Sequence, residues 1–302
     1  MSRQIQLPAY AKINLGLRVL GKRRDGYHNI ETYFLQVDLA DRLSFQVLST
    51  PEITFNCNWP ELVDRENNLC VKACRLLENA CGRRLGIDIH LEKNIPYGAG
   101  LGGGSSDAAV TLMTVNQLWG IGLPLAGLSQ LALRLGSDVT FFLHGGLAYA
   151  CGRGEVLTPL DNLPDIRLLI VKPEVAVSTQ WAYDNLKFGL TKSKKNTTFA
   201  SFKNGLSTVD NLREVCHNDM EVAVFKRHPE LAVIKSRLQD VGALPVSMTG
   251  SGSAIFGIFE SQRALNDGLR VFGKSYRVFV TRPIRSGMQQ IHELVAASTS
   301  GG

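Results

Sequence analysis

Residues 96–109 read Pro-Tyr-Gly-Ala-Gly-Leu-Gly-Gly-Gly-Ser-Ser-Asp-Ala-Ala, five glycines and two serines in fourteen positions. Before them lies a strand-like apolar run, Ile87 to Leu91. After them, Asp107 to Trp119 spaces Val110, Met113 and Leu118 along one face of a helix. Backbone without Cβ can pass through positive φ and bring its N–H groups close to a ligand. The helix that follows adds donors that none of its own carbonyls can satisfy, at the positive end of its dipole. Such a stretch is a cradle for a polyphosphate such as that of ATP. A turn that merely closes a strand against a helix needs only one or two glycines.

Spacing separates this cradle from better-known loops. Gly98, Gly100 and Gly103 satisfy G-x-G-x-x-G, but a dinucleotide site needs an acidic residue about 20 positions on, and none occurs between Asp107 and Asp138. A Walker A loop ends in Gly-Lys-Ser/Thr, whereas here the place is taken by Gly104-Ser105-Ser106, so the phosphates need a cation from elsewhere. The helical spacing that follows argues against a protein-kinase loop.

The chain has 302 residues, enough for two ordinary domains, and its composition, 44% hydrophobic and 20% charged, is globular. A net charge of +6 suits nucleic acid or any anionic small substrate and decides nothing alone. No run of 18 or more apolar residues is present and no signal-peptide core opens the chain, so a cytoplasmic protein without a membrane partner is expected. The cysteines at 57, 70, 74, 81, 151 and 216 form no C-x-x-C pair. Cys70, Cys74 and Cys81 fall at helical spacing, which reads as small buried side chains or as a thiolate metal site.

Strand-like runs occupy Ile5 to Leu7, Ile13 to Leu20, Ile30 to Val37 and Leu43 to Val47, with Asp25-Gly26 marking a hairpin. A helix over Asn68 to Ala80 and a strand over Gly86 to Glu92 lead to the cradle. Pro124 to Leu135 reads as a further helix, Ser137-Asp138 starts another, and Gly145 to Ala150 and Glu155 to Leu160 are strands across the Cys151 to Gly154 turn. Beyond Asp165 come a strand (Ile166 to Val171), helices (Thr179 to Phe188, Leu212 to Phe225, Glu230 to Val241), strands (Leu244 to Met248, Ala254 to Phe259), a helix (Arg263 to Phe272) and a strand (Tyr276 to Val280). Reduced to its sheet-forming skeleton, this half is β-α-β-β-α-β, the split-βαβ arrangement. The expected boundary falls at Asp161 to Pro164, giving domains 1–163 and 164–302. Lys187 to Lys203 carries five lysines and no acid, a solvated loop or a polyanion-binding segment.

Three more segments bear on the cradle. Lys12 and Asn14 alternate on an early strand and share one face of the sheet, with Ile13 and Leu15 on the other. Gly136-Ser137-Asp138-Val139 sets a carboxylate at a helix start, and Thr249-Gly250-Ser251-Gly252-Ser253 offers backbone donors to a second anion. Taken singly, Lys12 is a snorkelling lysine, Asp138 an N-cap and the Gly250 to Ser253 stretch a hairpin turn.

Together, Ala11 to Leu15, Asp25 to His28, Pro96 to Ala109, Gly136 to Val139, Gly152 to Glu155 and Met248 to Phe256 resemble the motifs of the GHMP small-molecule kinases, over nearly the whole chain. Lys12, Tyr27-His28 and Asp138 point to the branch that phosphorylates a diphosphocytidyl methylerythritol. Tyr97 departs from the usual residue at its place but leaves the glycines intact. The resemblance implies an α+β fold: an N-terminal domain like the second domain of ribosomal protein S5, a ferredoxin-like C-terminal domain, and a site in the cleft between them. It implies ATP and Mg²⁺, with the phosphates held by Pro96, Gly98, Ala99, Gly100, Leu101, Gly102, Gly103, Gly104, Ser105 and Ser106, one of the two serines lying near the metal or the β-phosphate. It gives Asp138 as the base and Lys12 as its partner, with metal ligation or helix capping as competing roles for Asp138.

The substrate side would comprise Asn14, Tyr27, His28, Thr179, Tyr183, Gly250 and Ser251. A cytosine offers a donor beside two acceptors and a π-face, which a histidine and a tyrosine on one turn can match. No metal ligand is nominated, no nucleic-acid partner is expected, and a monomer or weak homodimer is expected. The competing functions are a mevalonate- or homoserine-type alcohol kinase and a catalytically silent nucleotide-binding regulator.

Overall fold

The computed structural model describes residues 4–59, 67–186 and 205–284. Strands β1 (Ile5–Lys22) and β2 (His28–Leu48) form one long antiparallel hairpin, closed where Arg23 N donates to Tyr27 O at 2.7 Å and Gly26 takes a φ of 86°. The sequence pattern divides each of these strands in two, because it breaks near Tyr10 and Ala40. The structure carries the chain through with a register shift between Tyr10 and Ala11. At that irregularity β1 changes its packing partner: Leu7 and Ala9 lie in the core beneath the helices, whereas Ala11, Ile13 and Leu15 lie in a core shared with the second half. The shift thus delivers Lys12 and Asn14 to the junction of the two halves.

Strand β3 (Ile53–Cys57) is not among the runs read from the sequence and runs parallel to β4 (Gly86–Glu92). With β5 (Leu147–Cys151) and β6 (Val156–Leu160) the first sheet has the order β3-β4-β2-β5-β6, β1 lying on β2. Helices α1 (Leu69–Cys81), α2 (Gly103–Leu118), α3 (Leu125–Leu135) and α4 (Ser137–His144) belong to this half. Helix α1 starts where the Asn68 side chain accepts from Cys70 N at 2.9 Å and ends at Gly82 with φ 66°. Its Cys70 and Cys74 are free and buried, and burial pushes both thiols up, so they pack as small apolar groups. Among the described residues no group of three His, Cys, Asp or Glu could hold a metal, and no helix is long and apolar enough to cross a membrane.

The second sheet contains β7 (Arg167–Lys172), β8 (Val246–Met248), β9 (Ile255–Phe259) and β10 (Arg277–Thr281) in the order β10-β7-β9-β8, all antiparallel, as a split-βαβ skeleton requires. Helices α5 (Thr179–Asp184), α6 (Val209–Val215), α7 (Glu221–Arg227) and α8 (Pro229–Asp240) lie between β7 and β8 in the chain, and α9 (Gln262–Phe272) links β9 to β10. Helix α5 stops short of the expected end at Phe188, which, with the basic stretch Lys187 to Lys203, lies outside the described residues.

The helix expected over Leu212 to Phe225 is broken into α6 and α7. At the break Asn218 is buried, its Nδ2 donating to Met248 O at 2.7 Å and Gly250 O at 2.8 Å and its Oδ1 accepting from Met220 N at 2.9 Å. Its neighbours pair with β1, Leu17 N donating to His217 O at 2.6 Å and Asp219 N to Leu17 O at 3.0 Å. These bonds compete with the helical ladder and clamp the second half onto β1.

Candidate active site

The cradle leaves β4, crosses the junction of the two halves and becomes α2 within its own glycine run, since α2 begins at Gly103. Its carbonyls are turned onto the scaffold. Leu101 O accepts from Lys12 N at 2.9 Å, Ala99 O from Ala254 N at 3.2 Å, and Gly100 O from Thr249 Oγ1 at 3.1 Å. The first bond of α2 runs from Ser106 N to Gly102 O at 2.9 Å, and the helix has neither a side-chain cap nor an acid in its first turn. The N–H groups of Gly103, Gly104 and Ser105 are therefore left for an anion. Gly100 and Gly102 have φ of 77° and 70°. A Cβ on Gly100 would stand 2.1 Å from Thr249 O, and one on Gly102 2.8 Å from Phe142 Cζ and 3.0 Å from Lys12 Cε. Glycine is thus required at 100 by the close approach of the second half, and at 102 by the packing of α4 and of the Lys12 stem within the first half.

A cavity of about 320 Å³ opens along this backbone and is lined by Pro96, the whole run Gly98 to Ser105, Lys12, Asn14, Asp138, Thr179, Tyr183, Gly250 and Ser251. Lys12 Nζ lies 3.2 Å from Asp138 Oδ2 and donates to Asn14 Oδ1 at 2.7 Å. Asn14 in turn donates to Thr32 Oγ1 at 2.8 Å, and its own N–H reaches Thr249 Oγ1 at 3.0 Å. The Lys12 side chain is 4% exposed and that of Asp138 34%, so the carboxylate faces the cavity while the ammonium is fixed behind it. Asp138 sits in the first turn of α4, whose N-cap, Gly136, makes no side-chain bond, so helix capping does not account for the carboxylate.

At the other end His28 stacks on Tyr183, ring centroids 4.8 Å apart and planes 13° from parallel. Burial, with the charge of Lys22, lowers the His28 pKa, and burial beside Asp138 pushes the Tyr183 phenol well up. Tyr27 is 54% exposed, with the Arg153 guanidinium 4.6 Å from its ring centroid. Thr179 Oγ1 and Ser251 Oγ are hydrogen-bonded at 2.9 Å, joining the α5 wall to the Gly250 loop.

Three sequence-nominated residues are not among the lining. Ser106 is 1% exposed, packed into α2, so of the two serines only Ser105 meets the cavity. Tyr27 and His28 stand beside it, represented by the partners they stack on, Arg153 and Tyr183.

Two lining cations were missed by the sequence reading. Arg153 lies in the G-R-G-E turn and could have been noted there. Lys93, three residues before Pro96, is 7% exposed and lies against the first turn of α2, within 2.8 Å of where a Gly103 Cβ would be. Its ammonium is bound by Asp41, and by Asp107 at 2.8 Å, a contact between segments remote in sequence that no local pattern signals.

A polyphosphate cradle facing a lysine–carboxylate pair is the equipment of an enzyme that moves a phosphoryl group onto a hydroxyl. The family descriptions "GHMP kinases N terminal domain" and "GHMP kinases C terminal" match residues 68–146 and 201–278. The chain is 42% identical to the 4-diphosphocytidyl-2-C-methyl-D-erythritol kinase of Chlorobium chlorochromatii, over 92% of this chain and 96% of that one. It is 39% identical to the enzyme of that name from Syntrophotalea carbinolica, over 91% and 98%. A crystal structure of a 4-(cytidine 5'-diphospho)-2C-methyl-D-erythritol kinase superposes with a TM-score of 0.77 at 34% identity, covering 92% of this chain and 99% of the other. Homoserine kinase from Cytophaga hutchinsonii shares the fold, with a TM-score of 0.73 at 21% identity over 95% and 97%. The chain belongs to the GHMP kinase family.

Proposed function

We infer that this chain is an ATP-dependent kinase that transfers the γ-phosphoryl group to the 2-hydroxyl of 4-diphosphocytidyl-2-C-methyl-D-erythritol, giving the 2-phosphate and ADP, a step of non-mevalonate isoprenoid precursor synthesis. The observation that carries the reading is one cavity bordered by the cradle, the Lys12–Asp138 pair and the α5 wall whose Tyr183 stacks on His28. The N–H groups at the start of α2 hold the phosphates. Asp138 accepts the proton of the attacking hydroxyl, and Lys12, fixed by Asn14, keeps positive charge beside the oxygen as it attacks. A magnesium ion brought by the phosphates would be met by Ser105 and would supply neutralisation of the charge that develops in transfer. The donor set fits such an ion: one hydroxyl, Ser105, borders the phosphate end, and an ion brought by substrate and water needs no dedicated protein cage.

Tyr27 and His28 take the cytosine, Thr179, Gly250 and Ser251 the body of the substrate. The proposal places the domain boundary between residues 163 and 164, and includes a cytoplasmic location, no nucleic-acid partner and a monomer or weak homodimer.

The test is to incubate the protein with ATP, Mg²⁺ and, in parallel, the cytidyl substrate, mevalonate and homoserine. A 2-phosphate of the cytidyl substrate alone is expected. Phosphorylation of mevalonate or homoserine instead would overturn the assignment, and nucleotide binding without turnover of any alcohol would identify a silent regulator.

A further inference from the structure

The cytidyl substrate proposed above carries a diphosphate of its own, for which the cradle, occupied by ATP, is not available. Its two negative charges need a cation within the cavity. Among the described residues the lining holds three: Lys12, Lys93 and Arg153. Lys12 is engaged with Asp138 and Asn14, and Lys93 is closed in between Asp41 and Asp107. Arg153 differs. Its nearest carboxylate, Glu155, lies 3.7 Å from Nε and already accepts from the Arg153 backbone N–H, and neither Nη group has a hydrogen-bond partner among the described residues. Asp25, also nearby, is paired with Arg23 at 3.1 Å.

The position is fixed as well as the charge. The turn that carries Arg153 is tied to β2 by Ile30 N donating to Gly152 O at 2.7 Å, two residues from His28. The guanidinium rests on one face of the Tyr27 ring, which leaves its N–H edge and the opposite face of the ring unused. We propose that Arg153 binds the diphosphate of the nucleotidyl substrate, a nucleoside-diphosphate site separate from the ATP cradle.

The inference rests on the cytidyl reading, and its test uses cytidine and CDP as competitive inhibitors against the substrate. In Arg153→Met the Ki of CDP and the KM of the substrate should rise about 10–100-fold, the loss of charge-assisted hydrogen bonds. The Ki of cytidine, the KM of ATP and kcat should not change. Arg153→Lys, which keeps the charge but not the fork, should fall between, and it serves in place of Arg153→Met if that variant melts early. Equal loss for cytidine and CDP would overturn the proposal by showing that Arg153 acts on the base or through Tyr27. Unchanged CDP inhibition would overturn it too, while leaving the cytidyl reading intact. Failure of both inhibitors against the wild-type protein would instead remove the cytidyl reading, and this inference with it.

Discussion

The proposed phosphate cradle is a single backbone segment, residues 98–105, whereas the proposed platform for the cytidyl group draws Tyr27 and His28 from the β1–β2 hairpin and Tyr183 from α5, with Arg153 from the β5–β6 turn beside it for the diphosphate. On this reading the cradle holds phosphate through main-chain N–H groups, so the sequence need only keep side chains out of the way. The proposed platform would work through rings and charges that the fold must bring together. Main-chain sites are therefore written in composition, and side-chain sites in tertiary structure. Lys12 and Asp138 stand between the two, one on β1 and one on α4, joined at 3.2 Å.

The largest effect should appear where the two ends meet. Asp138→Asn should retain ATP binding yet lose about 10²–10⁴-fold in kcat, and Lys12→Met a comparable factor. Because the pair acts as a unit, the double variant should be little worse than either single one in steady-state assays. Near-normal turnover in Asp138→Asn would leave the two ends as binding sites without a shared chemical centre.

Within the cradle, Gly100→Val should separate the ends. The φ of 77° alone costs about 1–3 kcal/mol for a residue with a Cβ, and the contact with Thr249 O adds to it. The KM for ATP should rise far more than that for the alcohol. Equal changes in both would show that the variant disturbs the whole junction rather than the cradle.

Much of this was readable beforehand, for definite reasons. The glycine run, the Lys12–Asn14 alternation and the Ser137-Asp138 helix start are local patterns, and the structure brings all three to one cavity. The break at Asn218 was hidden because the apolar residues on either side keep a helical rhythm while the asparagine answers to Met248 and Gly250. Lys93 was hidden because its significance lies in Asp41, from the middle of β2, and Asp107, from α2.

On the platform, Tyr27→Ala should weaken the cytidyl substrate by about 1–3 kcal/mol and leave ATP unaffected, as for loss of one stacking ring. His28 is expected neutral at pH 7, since burial and Lys22 lower its pKa. Acidification through that lowered value charges the ring, so substrate KM should rise toward low pH in the wild type and become flatter in His28→Gln. A low-pH rise that persists in His28→Gln would assign the titration to another group.

The smallest effect concerns the support beneath the cradle. Burial raises the pKa of Asp107 to about 8, and the charge of Asp41 adds to the shift while Lys93 opposes it. Its Oδ1, buried with no hydrogen-bond partner, can carry the proton while Oδ2 keeps Lys93. The native chain therefore binds a proton here that the unfolded chain, with a carboxylate pKa of about 3.9, has released. With the folded-state value raised, this contribution to stability is fully present below the unfolded pKa and is lost as pH rises through about 8. Asp107→Asn keeps an acceptor for Lys93 but cannot titrate. Its melting temperature should decline less than that of the wild type between about pH 5 and about pH 8. Parallel curves would mean that Asp107 stays ionised against Lys93, and that the support of α2 is a salt bridge at every pH where the protein folds.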